Sequence, residues 1–212
     1  MTVEEVPALY ESRWWRNYAK SKLKTDPLYG AVWEELEGSP LGVLDVGCGM
    51  GLFGFYLRAR GFRGEFLGVD YDAKKVSVAG EIATGRFEGM EFRDGDAREG
   101  VPEFSGHVTV LDILQFFVPE ERERLLRSVA RSVAPGGKLI IRNGVKDASW
   151  RFRALQVGDV LAKATFWMKA GPVSYPIAGE VGGILEDEGL IGGARPLWGG
   201  TPFNNYLFVY ER

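Results

Sequence analysis

Apolar positions near the start of the chain recur at helical spacing. Tyr10, Trp14 and Tyr18 fall four apart and lay an aromatic stripe along one face. The pattern predicts helix over residues 3–37, restarted at Thr25-Asp26-Pro27, where an acid that caps is followed by a proline suited to a first helical turn. Gly38-Ser39-Pro40 ends this helical region near Leu36. Beyond it, short apolar runs alternate with amphipathic ones. Strands are predicted at 42–47, 65–70, 90–93, 107–114 and 138–143. Helices are predicted at 52–59, 73–82 with Asp72 as N-cap, 119–133, 148–169 and 177–188. The chain closes on a predicted hairpin: a strand near Ala194–Trp198, the turn GGTP, and a strand over Phe203–Tyr210. Repeated strand–helix units imply a parallel sheet with helices on both faces, and the hairpin adds an antiparallel strand to it.

Composition narrows the class. A chain of 212 residues that is 45% hydrophobic is expected to form one compact core. The net charge of −3 argues against a nucleic-acid partner, and the sequence holds no apolar run long enough to span a bilayer. The single cysteine, Cys48, cannot form an internal disulfide, and the acidic N-terminus lacks a secretory pattern, so a cytoplasmic setting is expected. One His and one Cys cannot build a His/Cys metal site, and no metal is expected.

The stretch VLDVGCGMGLFG, residues 43–54, carries the first chemical signal. Gly49-x-Gly51-x-x-Gly54 fits the dinucleotide-binding fingerprint, and Asp45-x-Gly47-x-Gly49-x-Gly51 fits that of S-adenosylmethionine-dependent methyltransferases. Asp70, at the end of the second strand, suits the ribose of either ligand. Asp45 separates them: a carboxylate beside the glycines repels a pyrophosphate and favours an ammonium or sulfonium. Asp96 in RDGDARE can accept a hydrogen bond from an adenine amino group, and the Ala97 amide can meet a ring nitrogen. No convincing Tyr-x-x-x-Lys pair marks the rival, an NAD(P)-dependent reductase; a non-catalytic cofactor-binding subunit is the other alternative.

Asp45–Gly51, Asp70, Gly95-Asp96-Ala97 and Pro135-Gly136-Gly137 together resemble a class I S-adenosylmethionine-dependent methyltransferase over about residues 40–212. The resemblance implies an α/β fold: a Rossmann-like, doubly wound, seven-stranded sheet with an antiparallel last strand and helices on both faces. It implies S-adenosyl-L-methionine as cofactor. Gly47, Gly49 and Gly51 would let backbone approach its methionine portion, with Asp45 acting through charge. Asp70 would take the ribose, Tyr71 would pack on adenine, and Asp96 and Ala97 would hold the adenine edge. Asp112 to Gln115 would line the methyl-donating end. Many relatives carry a His near position 115, where this chain has Gln115. RNG…WRFR and SKLKTDPLY are similar to stretches of small methyltransferases from polyketide or aryl-polyene pathways.

Three side chains are candidates for handling the acceptor: Gln115, Tyr18 and His107, the sole imidazole. His107 opens a buried strand and reads first as structural, and Cys48 reads as a buried filler. Residues 1–38 are expected to form a helical lid, with 39–212 as the cofactor-binding domain, and removal of residues 1–24 is expected to leave the fold intact while weakening cofactor binding and abolishing transfer. Residues 144–177 exceed a plain connection, and Trp150, Phe152, Phe166, Trp167, Met168 and Tyr175 suggest a second lid segment. Arg13, Arg16, Lys20, Lys22 and Lys24 read first as a solvated face, and second as a dock for an acidic substrate or carrier protein. The expected reaction is methyl transfer to a small, partly apolar acceptor, free or held on a carrier protein. An Arg is expected to meet any carboxylate on that acceptor.

Overall fold

The computed structural model describes residues 1–164 and 171–212, with the backbone alone for 159–164. A 3-10 segment, Val3–Leu9, precedes α1 (Arg13–Thr25) and α2 (Leu28–Leu36). Then come β1 (Val43–Val46), α3 (Leu52–Arg60), β2 (Phe66–Asp70), α4 (Ala73–Ala83), β3 (Met90–Asp94) and β4 (His107–Leu111). The rest is α5 (Pro119–Arg131), β5 (Lys138–Gly144), α6 (Trp150–Ala164), α7 (Ala178–Asp187), β6 (Ile191–Pro196) and β7 (Asn205–Glu211).

Seven strands form one sheet in the order β3-β2-β1-β4-β5-β7-β6. β1 to β5 run parallel, and β7 lies antiparallel between β5 and β6. The closing hairpin thus supplies the reversed strand expected of it. Alternation along the strands sorts side chains to the two faces. Val43 and Ile140 join α2, α3 and α4 in one apolar cluster, while Leu44, Val46, Leu139 and Ile141 join α5 and α7 in the other. Both faces are covered, as a largely parallel sheet requires.

Two expectations need correction, and a third lies partly outside the described residues. Helix does not run from residue 3 through Tyr10. Pro7 lacks an N–H, Tyr10 is extended (φ −86°, ψ 124°), and α1 begins only after Ser12. Val6 and Tyr10 are fully buried in the α2–α3 cluster, and Tyr10 donates its hydroxyl to the Met50 carbonyl at 3.3 Å. The first residues are therefore core as well as cover. The fourth strand stops at Leu111, because Asp112 takes a left-handed φ of 61° and Leu114–Phe116 form a 3-10 turn. The helix expected to reach Lys169 is described to Ala164, and Phe166, Trp167 and Met168 lie outside the described residues.

Candidate active site

β1 and β4 are neighbours in the sheet, yet the chain leaves them in opposite directions, toward β2 and toward β5. Ligands of open α/β sheets bind at such a switch point, beyond the carboxyl ends of the strands. A cleft of about 680 Å³ opens there. One end is built from the loops after β1, β2 and β3, and the other from α1, the loop after β4, α6 and the turn before β7.

At the first end, β1 runs into the glycine turn. Gly49 has φ 55°, and a Cβ there would meet only the Lys75 side chain, at 4.0 Å, so the backbone faces open space. Gly51 differs. It also has positive φ, 78°, but a Cβ would strike the Phe92 ring at 2.8 Å and Ala79 at 3.0 Å, and Gly51 does not line the cleft. It permits close packing of α3 against β3 and α4, whereas Gly49 is the one of the two that faces the cleft. Gly47 lines the cleft but packs its α-carbon against Ile113.

The acids sit around this turn. Asp70 accepts the Gly49 amide at 2.8 Å with one oxygen and the Asp72 amide at 2.9 Å with the other. Each oxygen keeps a lone pair for a ligand hydroxyl. Asp45 is 2% exposed and accepts the Thr109 hydroxyl at 2.7 Å. Burial pushes its carboxyl up to about 7, against the pull of Thr109 and with a further push from Asp70. Tyr71 is 57% exposed on the cleft wall, so one ring face is available to stack. Burial raises the Cys48 thiol, leaving it an inert filler. Asp96 and Ala97 line the cleft, but the Asp96 carboxylate already accepts the Arg98 amide at 2.9 Å and its guanidinium at 3.2 Å. An adenine amino group there would share it.

The second end centres on four charges. Arg142, near the end of β5, gives Nη2 to both oxygens of Asp26 at 2.9 Å and pairs through Nη1 with Asp112. Lys22 reaches Asp26 at 2.8 Å and stands 4.0 Å from Asp112. Burial opposes the charged form of Arg142, but Asp112 and Asp26 outweigh it and keep the guanidinium protonated. Arg142 is thus already neutralised by two acids, and the role of meeting an acceptor carboxylate does not fall to it.

Of the three acceptor-handling candidates, the structure brings two to the cleft. Tyr18 lines it, and burial raises its hydroxyl, so it is a phenol at neutral pH rather than a base. Its ring stacks with Trp14 at 6.1 Å between centroids. Gln115 lines it too, with Nε2 donating to the Asp112 carbonyl at 2.8 Å. His107 is absent from the cleft. It pairs in register with Val43, at the amino ends of both strands and the opposite edge of the sheet. Its Nδ1 accepts the Lys138 amide at 3.0 Å, which leaves Nε2 protonated and 2.7 Å from the Ser39 hydroxyl. It is a buried structural histidine. Phe152 meets Tyr175 edge-on at 5.1 Å, and the backbone amides of Val173 and Ser174 donate to the Gln115 carbonyl at 2.8 and 3.2 Å. Val173 and Ser174 are thereby tied to the loop after β4.

The family model described as "Methyltransferase domain" matches residues 43–137, from the first residue of β1 to the turn before β5. Over that stretch the chain is similar to methyltransferase domains. Solved structures share the fold. The PH0226 protein from Pyrococcus horikoshii OT3 is 22% identical, with a TM-score of 0.68 over 98% of this chain and 95% of that one. Magnesium protoporphyrin IX methyltransferase from Synechocystis PCC 6803, solved with bound SAH, is 18% identical, with a TM-score of 0.67 over 96% and 90%. The [4+2]-cyclase SpnF is 20% identical, with a TM-score of 0.62 over 82% of this chain and 61% of that one, so the fold alone does not dictate the reaction. No curated protein matches the chain by sequence.

Sequence reasoning missed the Asp26–Arg142–Asp112 cluster and the cleft residues Thr201, Phe203 and Asn205. Asp26 was legible only as a cap, a role it also fills by accepting the Leu28 amide at 3.1 Å. Its ion pair spans 116 positions and leaves no local signature.

Proposed function

We propose that this protein is an S-adenosylmethionine-dependent methyltransferase that acts on a small, partly apolar acceptor held between α1 and the loops after β4 and before β7. The observation that carries the reading is the asymmetry of the cleft. Exposed glycine backbone and three acids furnish one end, and Trp14, Tyr18, Leu155, Tyr175 and Phe203 wall the other.

The first end fits S-adenosylmethionine. Gly49 offers bare backbone, Asp70 has lone pairs for ribose hydroxyls, Tyr71 offers a ring face, and Asp45 and Asp70 favour a cationic ligand over a pyrophosphate. Bound there, the cofactor supplies an electrophilic methyl group and a leaving group that needs no proton. The chain's own work is then alignment and exclusion of water. α1, α6 and Tyr175 line the cleft at the carboxyl edge of the sheet. Tyr18 and Trp14 present aromatic faces, which favour a sulfonium by about 0.5–2 kcal/mol per good contact. The loop after β4 fixes Gln115 beside the acceptor space.

The test is incubation of the full chain with methyl-labelled S-adenosylmethionine and a cell extract. The reading expects label in a low-molecular-weight, organic-extractable product. Label found only in protein or nucleic acid would contradict it.

A further inference from the structure

The corner where β5 meets β7 carries three asparagines, and they differ in their partners. Asn143 Oδ1 accepts the Leu114 amide at 3.0 Å, and its Nδ2 donates to the Gly144 carbonyl at 2.9 Å. Asn204 Nδ2 donates to the Val145 carbonyl at 2.8 Å. Asn205 lines the cleft and is 5% exposed, yet its carboxamide makes no hydrogen bond with any described residue. Buried side-chain amides in native proteins are nearly always paired, so an unpaired one in a ligand cleft marks a place for the ligand.

Burial does not seal this amide. Gln115 Oε1 and Arg142 Nε also lack partners on the cleft wall, but both atoms are closed off and no ligand can reach them. The amide atoms of Asn205 are not closed off in that way, and the space they open to is the cleft. β7 sets the direction. Residues two apart on a strand face the same side, and Leu207 packs in the apolar cluster that Tyr18 and Leu23 of α1 also join. Asn205 therefore points to the side of the sheet that α1 covers. Gly144, its partner across the ladder, has no side chain to pair with it.

The free groups define what would fit. A carboxamide offers an acceptor oxygen and an N–H donor side by side. A carboxylate would use the donor and leave the oxygen unmatched, and an amine would do the reverse. The charges on this side are already matched, Lys22 and Arg142 by Asp26 and Asp112, so a charged ligand finds no uncompensated partner. We infer that Asn205 is a specificity-determining residue, and that the acceptor is a neutral molecule with an amide or lactam edge. Its N–H donates to Asn205 Oδ1, and its carbonyl accepts from Asn205 Nδ2. The carboxamide neither gives nor takes a proton in the transfer. It selects and orients, as buried polar groups do when they reject an analogue lacking the matching group. The inference rests on the methyl-transfer reading of the cleft and sharpens its acceptor class.

The experiment uses the full chain saturated with S-adenosylhomocysteine and reads ligand-observed NMR titrations of three probes. Benzamide carries the amide edge, acetophenone replaces its NH2 with a methyl group, and benzoate replaces the amide with a charge. Benzamide should bind about tenfold more tightly than acetophenone, the value of one buried hydrogen bond, and more tightly than benzoate. Asn205→Leu and Asn205→Ser should erase the benzamide preference while leaving S-adenosylhomocysteine affinity unchanged. Equal binding of benzamide and acetophenone by the unaltered protein would overturn the inference without recourse to any variant. So would tighter binding of benzoate, or a benzamide preference that survives both substitutions. A fall in S-adenosylhomocysteine affinity in both variants would assign Asn205 to the cofactor and overturn it too. Failure of S-adenosylhomocysteine to saturate the unaltered protein would overturn the methyl-transfer reading as well, and a separate titration shows it.

Discussion

Arg142 Nη2 lies 2.9 Å from both carboxylate oxygens of Asp26, and so β5 grips the junction between α1 and α2. Both side chains are buried. Breaking such a pair leaves a charge in the interior without its partner. Asp26→Ala should therefore destabilise the fold by about 3 kcal/mol, the low end for a buried pair, because Asp112 still faces the guanidinium. Chemical denaturation measures this, and a loss under about 1 kcal/mol would show the grip to be weak. Burial alone would raise the Asp26 carboxyl, but Arg142 and Lys22 outweigh it and hold it below its ordinary value of 3.8. Its contribution is thus present at neutral pH and lost as pH falls through the strongly acid range.

Asp45 has the opposite sign. Its carboxyl is raised from 3.8 to about 7, so the folded protein keeps a proton that the unfolded chain releases. That contribution is fullest below about 3.8, declines as pH rises, and is gone above about 7. The melting temperature of the ligand-free protein should fall between about pH 4 and 7, and Asp45→Asn should flatten that slope. Affinity for S-adenosylhomocysteine, with its ammonium group, should rise over the same interval in the unaltered protein and stay flat in the variant. Parallel profiles for the two proteins would exclude Asp45 as the titrating group.

The glycines of the turn separate by role. Gly49→Ala places a methyl toward open cleft in a left-handed conformation and should cost about 1–2 kcal/mol of stability. Its larger effect should be on cofactor affinity. Gly51→Ala drives a methyl into Phe92 and Ala79 and should cost more stability than Gly49→Ala. Melting and cofactor titration of the two variants side by side check the order, and a reversed order would reject the division.

Much of this was legible in the sequence, and the reason is local. β1, the glycine turn, Asp70 and the closing hairpin are read from residues close together in the chain, where apolar period and turn chemistry coincide. Asp45, Gly47, Gly49, Asp70, Tyr71, Asp96, Ala97 and Asp112 do converge on one cleft. What was not legible depends on distance or on the third dimension. Gly51 belongs to the same motif as Gly49, but only the folded position of Phe92 distinguishes them. His107 could not be placed at the far edge of the sheet until its register with Val43 was known. The aromatic stripe of Tyr10, Trp14 and Tyr18 reads as one helix face, yet the chain straightens at Tyr10 and sends that ring into the core.

That last difference changes what truncation should do. Removing residues 1–12 deletes Val6 and Tyr10, both fully buried. The melting temperature should drop by several degrees or more, beyond any effect on ligand affinity, because core side chains of this size contribute about 2–5 kcal/mol each. Tyr10→Phe removes only the hydroxyl on Met50 and should cost about 1 kcal/mol. A truncated chain that melts like the whole would return the segment to the status of a detachable cover.

The central claim is that the end of the cleft at Gly49 and Asp70 holds S-adenosylmethionine. Calorimetric titration of the full chain with S-adenosylhomocysteine, with NAD, and again after Asp70→Ala tests it most directly. The account predicts saturable binding of S-adenosylhomocysteine and none of NAD, and a loss of about 1–3 kcal/mol in Asp70→Ala from unpaired ribose hydroxyls. NAD binding more tightly than S-adenosylhomocysteine, or an Asp70→Ala variant that binds as well as the unaltered chain, would contradict it.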